Sequence, residues 1–82
     1  MTDSPILELV RKIATALVDD IAHIEINELS GNMTNVIELK VAKSDVGKLI
    51  GRQGRTADAI RTIVNCAAAK WKKRYILEII DQ

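Results

Sequence analysis

The fold of this 82-residue chain is decided by the stretch Val46-Gly47-Lys48-Leu49-Ile50-Gly51-Arg52-Gln53-Gly54-Arg55-Thr56. Gly51 and Gly54 stand three residues apart between two predicted helices, where glycine allows a tight turn and the close approach of another chain. Backbone N–H groups at the start of the second helix, together with the helix dipole, favour an anion at this turn. Arg52, Arg55 and Lys48 add positive charge, so the stretch predicts a phosphate-binding loop at residues 51–54.

A helix is predicted on each side of this loop. Ser44 is the expected cap of a short helix over residues 45–50, and Gly51 ends that helix in a left-handed conformation. A longer helix is predicted from residue 55 to about residue 72, because apolar residues recur there at helical spacing. These residues are Ile60, Ile63, Val64, Ala67 and Trp71.

Several apolar side chains of these two helices receive specific predictions. Val46 and Ile50 in the short helix and Ile60 in the long helix are expected to form an apolar floor beside the loop, suited to unstacked bases. Trp71 lies on the apolar stripe and is expected to pack in the core. Cys66 is also expected to be buried, as a small apolar side chain. A role as a nucleophile is not expected, because nothing in the sequence supplies a base that would activate its thiol.

The N-terminal half predicts a helix followed by a β-hairpin. The helical stripe consists of Ile6, Val10, Ile13, Leu17 and Ile21. Asp3 or Ser4 can cap this helix, and Pro5 fits its first turn. From His23 the apolar period changes to two, which is typical of strands. The first strand contains Ile24 and Ile26, the second contains Ile37, Leu39 and Val41, and residues 30–35 form the turn.

Residues 75–80 complete the domain as a third, short and β-branched strand. The predicted order is α-β-β-α-α-β in one α+β domain over residues 1–82, with a three-stranded sheet packed on helices. Apolar residues make up 48% of the chain but only Trp71 and Tyr75 are aromatic, so the core is expected to be aliphatic.

The composition also excludes several classes of protein. One cysteine and one histidine exclude a disulfide scaffold and a zinc or haem site, so no cofactor is expected. No acid pair, metal cluster or catalytic triad predicts an enzyme. His23 is expected to be an ordinary surface histidine. No apolar run approaches the ~20 residues that span a bilayer, and the first residues do not resemble a signal peptide, so the expected location is cytoplasmic.

Charge is divided unevenly along the chain. Residues 1–42 contain three basic and seven acidic residues, a net charge of −4, whereas residues 43–74 contain nine basic and two acidic residues, a net charge of +7. This asymmetry indicates a local anionic partner. A solvated helix face is the competing explanation that charge alone leaves open.

The run I-G-R-Q-G-R-T-A-D-A-I at residues 50–60, set in this element order, resembles the KH family of RNA-binding domains in its type II arrangement. In that family a G-x-x-G loop clamps the backbone of about four nucleotides. The length and the longer run V-G-K-L-I-G-R-Q-G-R-T-A-D-A-I-R are similar to the small bacterial proteins that consist of one KH domain.

The resemblance implies a role for each matching position. Gly51 and Gly54 would be the loop glycines, with Arg52 and Gln53 as the pair between them. Lys48 and Arg55 would contact phosphate, while Val46, Ile50 and Ile60 would line the groove. The family further implies binding of single-stranded RNA, homodimers, pairing with a larger KhpB-like KH protein, RNA chaperoning, and control of cell wall growth and cell shape.

Two other functions remain open from the residues themselves. The two helices and their turn could act as a helix-turn-helix that reads duplex DNA. Alternatively, the domain could mainly join other proteins, because an aliphatic core in so short a chain contributes only ~3 to 5 kcal/mol and self-association would add burial.

Overall fold

The computed structural model describes residues 4–80. Within them the order is α-β-β-α-α-β, which confirms the predicted α+β class. The elements are α1 (Pro5–Leu17), β1 (Glu25–Ser30), β2 (Thr34–Lys40), α2 (Val46–Ile50), α3 (Arg55–Ala69) and β3 (Arg74–Ile80). No helix in this part of the chain is long and apolar enough to cross a membrane.

Helix α1 begins as predicted but ends one turn early. The Ser4 hydroxyl accepts a hydrogen bond from the Leu7 N–H at 3.0 Å and caps the helix, while the alternative cap, Asp3, lies outside the described residues. After Leu17 the backbone becomes extended at Val18, whose side chain is buried. Ile21 lies in a separate 3₁₀ turn and is 55% exposed, so its predicted place on the apolar stripe of α1 is wrong.

The sheet places β2 between β1 and β3, antiparallel to β1 and parallel to β3. The predicted hairpin is confirmed, but Thr34 and Asn35 belong to β2 and not to the turn. Asn35 is buried because its amide finds partners in the neighbouring strands, donating to Glu28 Oε2 at 2.8 Å and to the Tyr75 hydroxyl at 3.2 Å. These partners satisfy a polar side chain that otherwise favours turns.

Helix α3 is shorter than predicted, and two apolar residues of its expected stripe are exposed. Its buried face consists of Ala57, Ile60, Val64 and Ala68. Ile63 and Trp71 are each 49% exposed, so the prediction that Trp71 packs in the core is wrong. The helix ends at Ala69, so Trp71 lies in the turn that follows it, and Lys72 then adopts a left-handed conformation.

The prediction that Cys66 is buried is also wrong. The cysteine is exposed, because it lies two residues after Val64 and therefore about 200° further around the helix axis. Val64 itself faces the core at 1% exposure. The Trp71 ring instead lies under the Lys70 ammonium, whose Nζ is 5.5 Å from the ring centroid.

Candidate nucleic-acid interface

The loop between α2 and α3 is a single 3₁₀ turn, Arg52–Gly54. Gly51 and Gly54 both have a φ of +77°, in the left-handed region that glycine adopts without a steric penalty. Gln53 also lies there, with a φ of 56° and a ψ of 26°. Three of the four loop residues therefore have a positive φ, and these four residues connect α2 directly to α3.

The two glycines are required for different reasons. A β-carbon on Gly51 would overlap Thr56 Oγ1 and lie 2.8 Å from the Thr56 backbone nitrogen, so the loop packs against the first turn of α3. A β-carbon on Gly54 would meet nothing within 4 Å. Gly51 thus permits close packing inside the protein, whereas Gly54 keeps its surroundings open to a ligand.

The loop also presents hydrogen-bond donors. The Gly51 N–H donates to the Gly47 carbonyl at 2.9 Å and the Gly54 N–H to the Gly51 carbonyl at 3.2 Å. Among the described residues, no acceptor is recorded for the N–H groups of Arg52 and Gln53. Since α3 begins without a side-chain cap, its positive end faces the same loop, and this arrangement favours an anion.

The predicted phosphate-contacting cations differ in their surroundings. Arg52 and Arg55 are exposed, and residues 4–80 contain no salt bridge to either. Lys48 is held by two acids, with its Nζ 2.9 Å from Asp45 Oδ1 and 3.3 Å from Asp19 Oδ2. The hydrogen bond to Asp45, followed by that to Asp19, raises the pKa of Lys48 above its ordinary value.

Asp45 is a structural residue that the sequence analysis did not identify. It is 1% exposed, and its Oδ2 accepts a hydrogen bond from the Asp20 N–H at 2.9 Å. That hydrogen bond, and then the one from Lys48, lowers the pKa of the Asp45 carboxyl. The carboxylate therefore fastens the segment after α1 to the start of α2. No local pattern marks this pairing, because its partners lie 25 residues apart.

The start of α2 also corrects an expected cap. The helix begins at Val46 after a 3₁₀ turn, Lys43–Asp45, and its N-cap residue is Asp45. No side chain caps it, so the predicted Ser44 cap is wrong. Asp45 occupies the capping position, but its carboxylate is already used by Asp20 and Lys48.

The three predicted floor residues are buried to different degrees. Val46 and Ile60 belong to the hydrophobic core and are 9% and 4% exposed. Ile50 is half-buried and packs against that core from the end of α2, directly before Gly51. Of the three, Ile50 is thus the side chain with apolar surface left for a ligand beside the loop.

An open groove between α3 and β3 was missed by the sequence analysis. Arg61, Val64 and Asn65 line its helix side, and residues 74–80 line its strand side. β3 is the last strand in the sheet order, so its outer edge is paired with no strand of residues 4–80. After the turn at residues 70–73, the start of β3 lines the groove with Val64 and Asn65, whereas its end lines the groove with Arg61, which lies nearer the loop along α3.

His23 is exposed, as expected for a surface histidine. Its Nδ1 lies 2.7 Å from Asp20 Oδ2, and this hydrogen bond raises the pKa of the imidazole above 6.5. No group of three or more His, Cys, Asp or Glu side chains in residues 4–80 is arranged to hold a metal ion.

Comparison with known proteins places the chain among small KH proteins. A family model described as the KH domain of KhpA/KhpB matches residues 7–79. The chain is 59% identical over 73 residues to a protein of Caldanaerobacter subterraneus subsp. tengcongensis called RNA-binding protein KhpA, covering 89% of this chain and 97% of that protein.

More distant relatives are also called RNA-binding protein KhpA. The protein of Clostridium acetobutylicum is 47% identical over 73 residues, covering 89% of this chain and 97% of the relative. The protein of Aquifex aeolicus is 41% identical over 78 residues, covering 95% of this chain and 99% of the relative. No solved structure matches the chain significantly.

Proposed function

The chain belongs to the KhpA/KhpB family of KH-domain proteins, and from this premise we propose that it binds single-stranded RNA without catalysing a reaction on it. Relatives that match almost the whole chain are named RNA-binding proteins. The observation that carries the proposal is the loop at residues 51–54, whose N–H groups at Arg52 and Gln53 have no recorded acceptor within residues 4–80.

The loop supplies the phosphate contacts in this proposal. Backbone N–H groups of Arg52 and Gln53 bind the phosphates of a short RNA segment, and the Arg52 and Arg55 side chains add charge-assisted contacts. Gly54 permits close approach, because no protein atom lies within 4 Å of the place where its β-carbon would be. Lys48 contributes less, since Asp45 and Asp19 already share its ammonium.

The groove between α3 and β3 supplies the base contacts. The apolar side chains of β3, with Ile50 beside the loop, give surface on which unstacked bases can rest, while the unpaired edge of β3 offers backbone donors and acceptors to base edges. Since few phosphates are engaged, affinity for one domain is modest and falls with rising salt.

The test replaces Arg52 and Gln53 together by aspartate, leaving both glycines in place. Asp tolerates the left-handed conformation of Gln53 better than most residues. We expect the loss of RNA crosslinking and of binding to a labelled octaribonucleotide, while the circular-dichroism spectrum stays unchanged.

The matched control is Arg11→Asp with Lys12→Gln, which changes the net charge by the same −3 on the exposed side of α1. It should retain crosslinking, because α1 lies outside the proposed site. Equal loss in both variants would reduce the effect to general electrostatics. Unchanged crosslinking in the correctly folded loop variant would refute the assignment of the loop.

The wider role proposed here follows what family membership implies. We propose a cytoplasmic RNA chaperone that forms homodimers, pairs with a KhpB-like KH protein and acts in control of cell wall growth and cell shape. The exposed apolar side chains Ile63, Trp71 and Ile76 support association with another protein, because each exposes about half of its surface. A single monomer in sedimentation across the micromolar range would count against self-association.

Duplex DNA binding remains the alternative of another class. Helix α2 has only five residues, which is short for the supporting helix of a helix-turn-helix, and a sheet packs against α3. Competition between single-stranded RNA and duplex DNA of equal charge decides between them. Preference for the duplex would overturn the RNA proposal.

A further inference from the structure

The side chain of Arg61 divides the groove between α3 and β3 into two pockets. The turn-side pocket is lined by Val64, Asn65, Arg74 and Tyr75, and the loop-side pocket by residues 78–80. Arg61, Ile76 and Leu77 line both. Arg61 reaches across from the helix, and its Nε donates a hydrogen bond to the Leu77 carbonyl at 3.2 Å.

This hydrogen bond changes what the edge of β3 offers to a base. The Leu77 carbonyl is an acceptor that an unpaired edge strand would present to the amino group of adenine or cytosine. Here Arg61 already occupies it. At this point the groove therefore presents a tethered guanidinium beside a carbonyl that already accepts one hydrogen bond, so donors face the ligand there as well.

The remaining guanidinium donors are available to a ligand. An arginine carries five N–H donors, and only Nε forms a recorded hydrogen bond in residues 4–80. Nη1 also forms an exposed ion pair with Asp58, whose Oδ1 lies 3.8 Å away, too far for a hydrogen bond. Because Nε is tethered, the two Nη groups are held in the groove with little further loss of side-chain entropy on binding.

Arg61 is also placed where RNA held by the loop would pass. It follows Gly54 by seven residues, which is about two helical turns, so both lie on the same side of α3. Arg61 is about 9 Å along the helix axis from Arg55, the first residue of α3. A strand clamped at residues 51–54 and running along β3 therefore brings a base to Arg61 within one or two nucleotides.

We propose that Arg61 is a specificity-determining residue that selects guanine in the groove between α3 and β3. This inference rests on the proposed binding of single-stranded RNA. Guanine presents two neighbouring acceptors, O6 and N7, which match the paired donors of a guanidinium. Adenine presents N7 beside an amino group, whose hydrogens face the guanidinium donors, so it matches only one of the two paired donors.

The experiment compares octaribonucleotides in which uridine alternates with guanosine, adenosine, inosine or 7-deazaguanosine. Fluorescence anisotropy should give about fivefold to tenfold tighter binding of the guanosine octamer than of the adenosine octamer. Inosine keeps O6 and N7 and should bind like guanosine, whereas 7-deazaguanosine lacks N7 and should bind more weakly. These comparisons use the wild-type protein and do not depend on any variant folding.

Arg61→Lys keeps the charge but removes the paired donors. The ratio of the affinity for the guanosine octamer to that for the adenosine octamer should fall to about one, while the affinity for the adenosine octamer changes less than about twofold. Arg55→Lys is the matched control, and it should leave the preference unchanged because it alters a phosphate contact only. Thermal unfolding followed by circular dichroism checks that both variants are folded.

The outcomes separate this inference from the proposed function. Equal binding of the guanosine and adenosine octamers by the wild-type protein, or a preference that survives Arg61→Lys, would overturn the role of Arg61 while leaving RNA binding intact. Failure to bind any octamer would overturn the proposed function, and this inference with it.

Discussion

Basic side chains lie on both sides of the loop at residues 51–54. Each carries one positive charge, but they differ in how freely they can contact an anion. On the side of α2, Lys48 is shared between the buried Asp45 and the exposed Asp19. On the side of α3, Arg55 is exposed without a salt bridge in residues 4–80, and Arg61 uses one donor on the strand edge. The first side holds the fold together, whereas the second side is free to bind.

This difference shows how far net charge can mislead. Residues 43–74 carry a net charge of +7, but Asp19 from the acidic half of the chain folds back onto Lys48, which Asp45 also holds. Tertiary contacts therefore remove Lys48 from the charge that an anion would meet. The usable basic surface lies after Gly51, along the loop and α3.

The largest effect is expected at the boundary between the two sides, in Gly51→Ala. The new β-carbon would overlap the Thr56 side chain and lie 2.8 Å from its backbone nitrogen, and alanine would also be forced to a φ of +77°. We expect a loss of about 2–4 kcal/mol in the free energy of unfolding, measured by urea denaturation.

Gly54→Ala is the matched control for that substitution. It places alanine at the same φ of +77°, but with a ψ of 10° in the left-handed helical region and without a steric overlap. The free energy of unfolding should fall by only about 1–2 kcal/mol. Equal losses in the two variants would contradict the close packing of Gly51 against α3.

Next in size is the effect of Asp45→Asn on the pH dependence of stability. The pKa of Asp45 is lowered from its ordinary value of 3.8 by the Asp20 N–H and Lys48. The ionised carboxylate thus stabilises the folded state above pH 3.8, and this contribution is lost as the pH falls through the lower folded pKa. Urea midpoints measured from pH 6 down to pH 2.5 should fall less steeply in Asp45→Asn than in the wild type.

Asp19→Asn is the control for this titration, because Asp19 is exposed and contributes a second contact to Lys48. Its acid profile should stay close to that of the wild type. If Asp45→Asn kept the full acid-dependent loss of stability, the carboxylate would not be the group that fastens α2 to the segment after α1.

A smaller effect, on RNA affinity, is expected when the two cations are compared directly in Arg55→Gln and Lys48→Gln. Arg55→Gln should weaken binding of an octaribonucleotide about threefold to fivefold and reduce the salt dependence of log K by about 0.7, the value for one phosphate of a single strand. Lys48→Gln should change affinity less than about twofold but lower stability, because Asp45 loses its partner. A larger loss of affinity in Lys48→Gln would reverse the comparison of the two sides.

The sequence predicts the parts of the fold that depend on neighbours along the chain. Apolar residues three or four positions apart identify α1, alternating apolar residues identify the hairpin, a short β-branched run identifies β3, and the two glycines identify the loop. Helix ends are less well predicted, because the stripe from Ile60 to Trp71 continues in the sequence after the helix has stopped at Ala69. The prediction that Trp71 packs in the core is wrong for that reason.

The rest of the candidate site depends on contacts between residues far apart in the chain. Arg61 meets the Leu77 carbonyl across 16 residues, and Asp45 meets the Asp20 N–H across 25. Neither contact has a local pattern in the sequence. The groove, and the contacts of Asp45 and Asp19 with Lys48, can therefore be seen only in the folded structure. The glycine loop can be read from the sequence, whereas the groove cannot.

The smallest effect concerns Gln53, the non-glycine residue of the loop that is held at a φ of 56°. Asparagine tolerates this conformation better than glutamine, so Gln53→Asn should raise the free energy of unfolding by about 0.5 kcal/mol. RNA affinity should stay within about twofold, because the backbone N–H is unchanged and the proposal assigns the phosphate contact to it. A marked loss of affinity in this more stable variant would mean that the Gln53 side chain, and not its backbone N–H, contacts the phosphate.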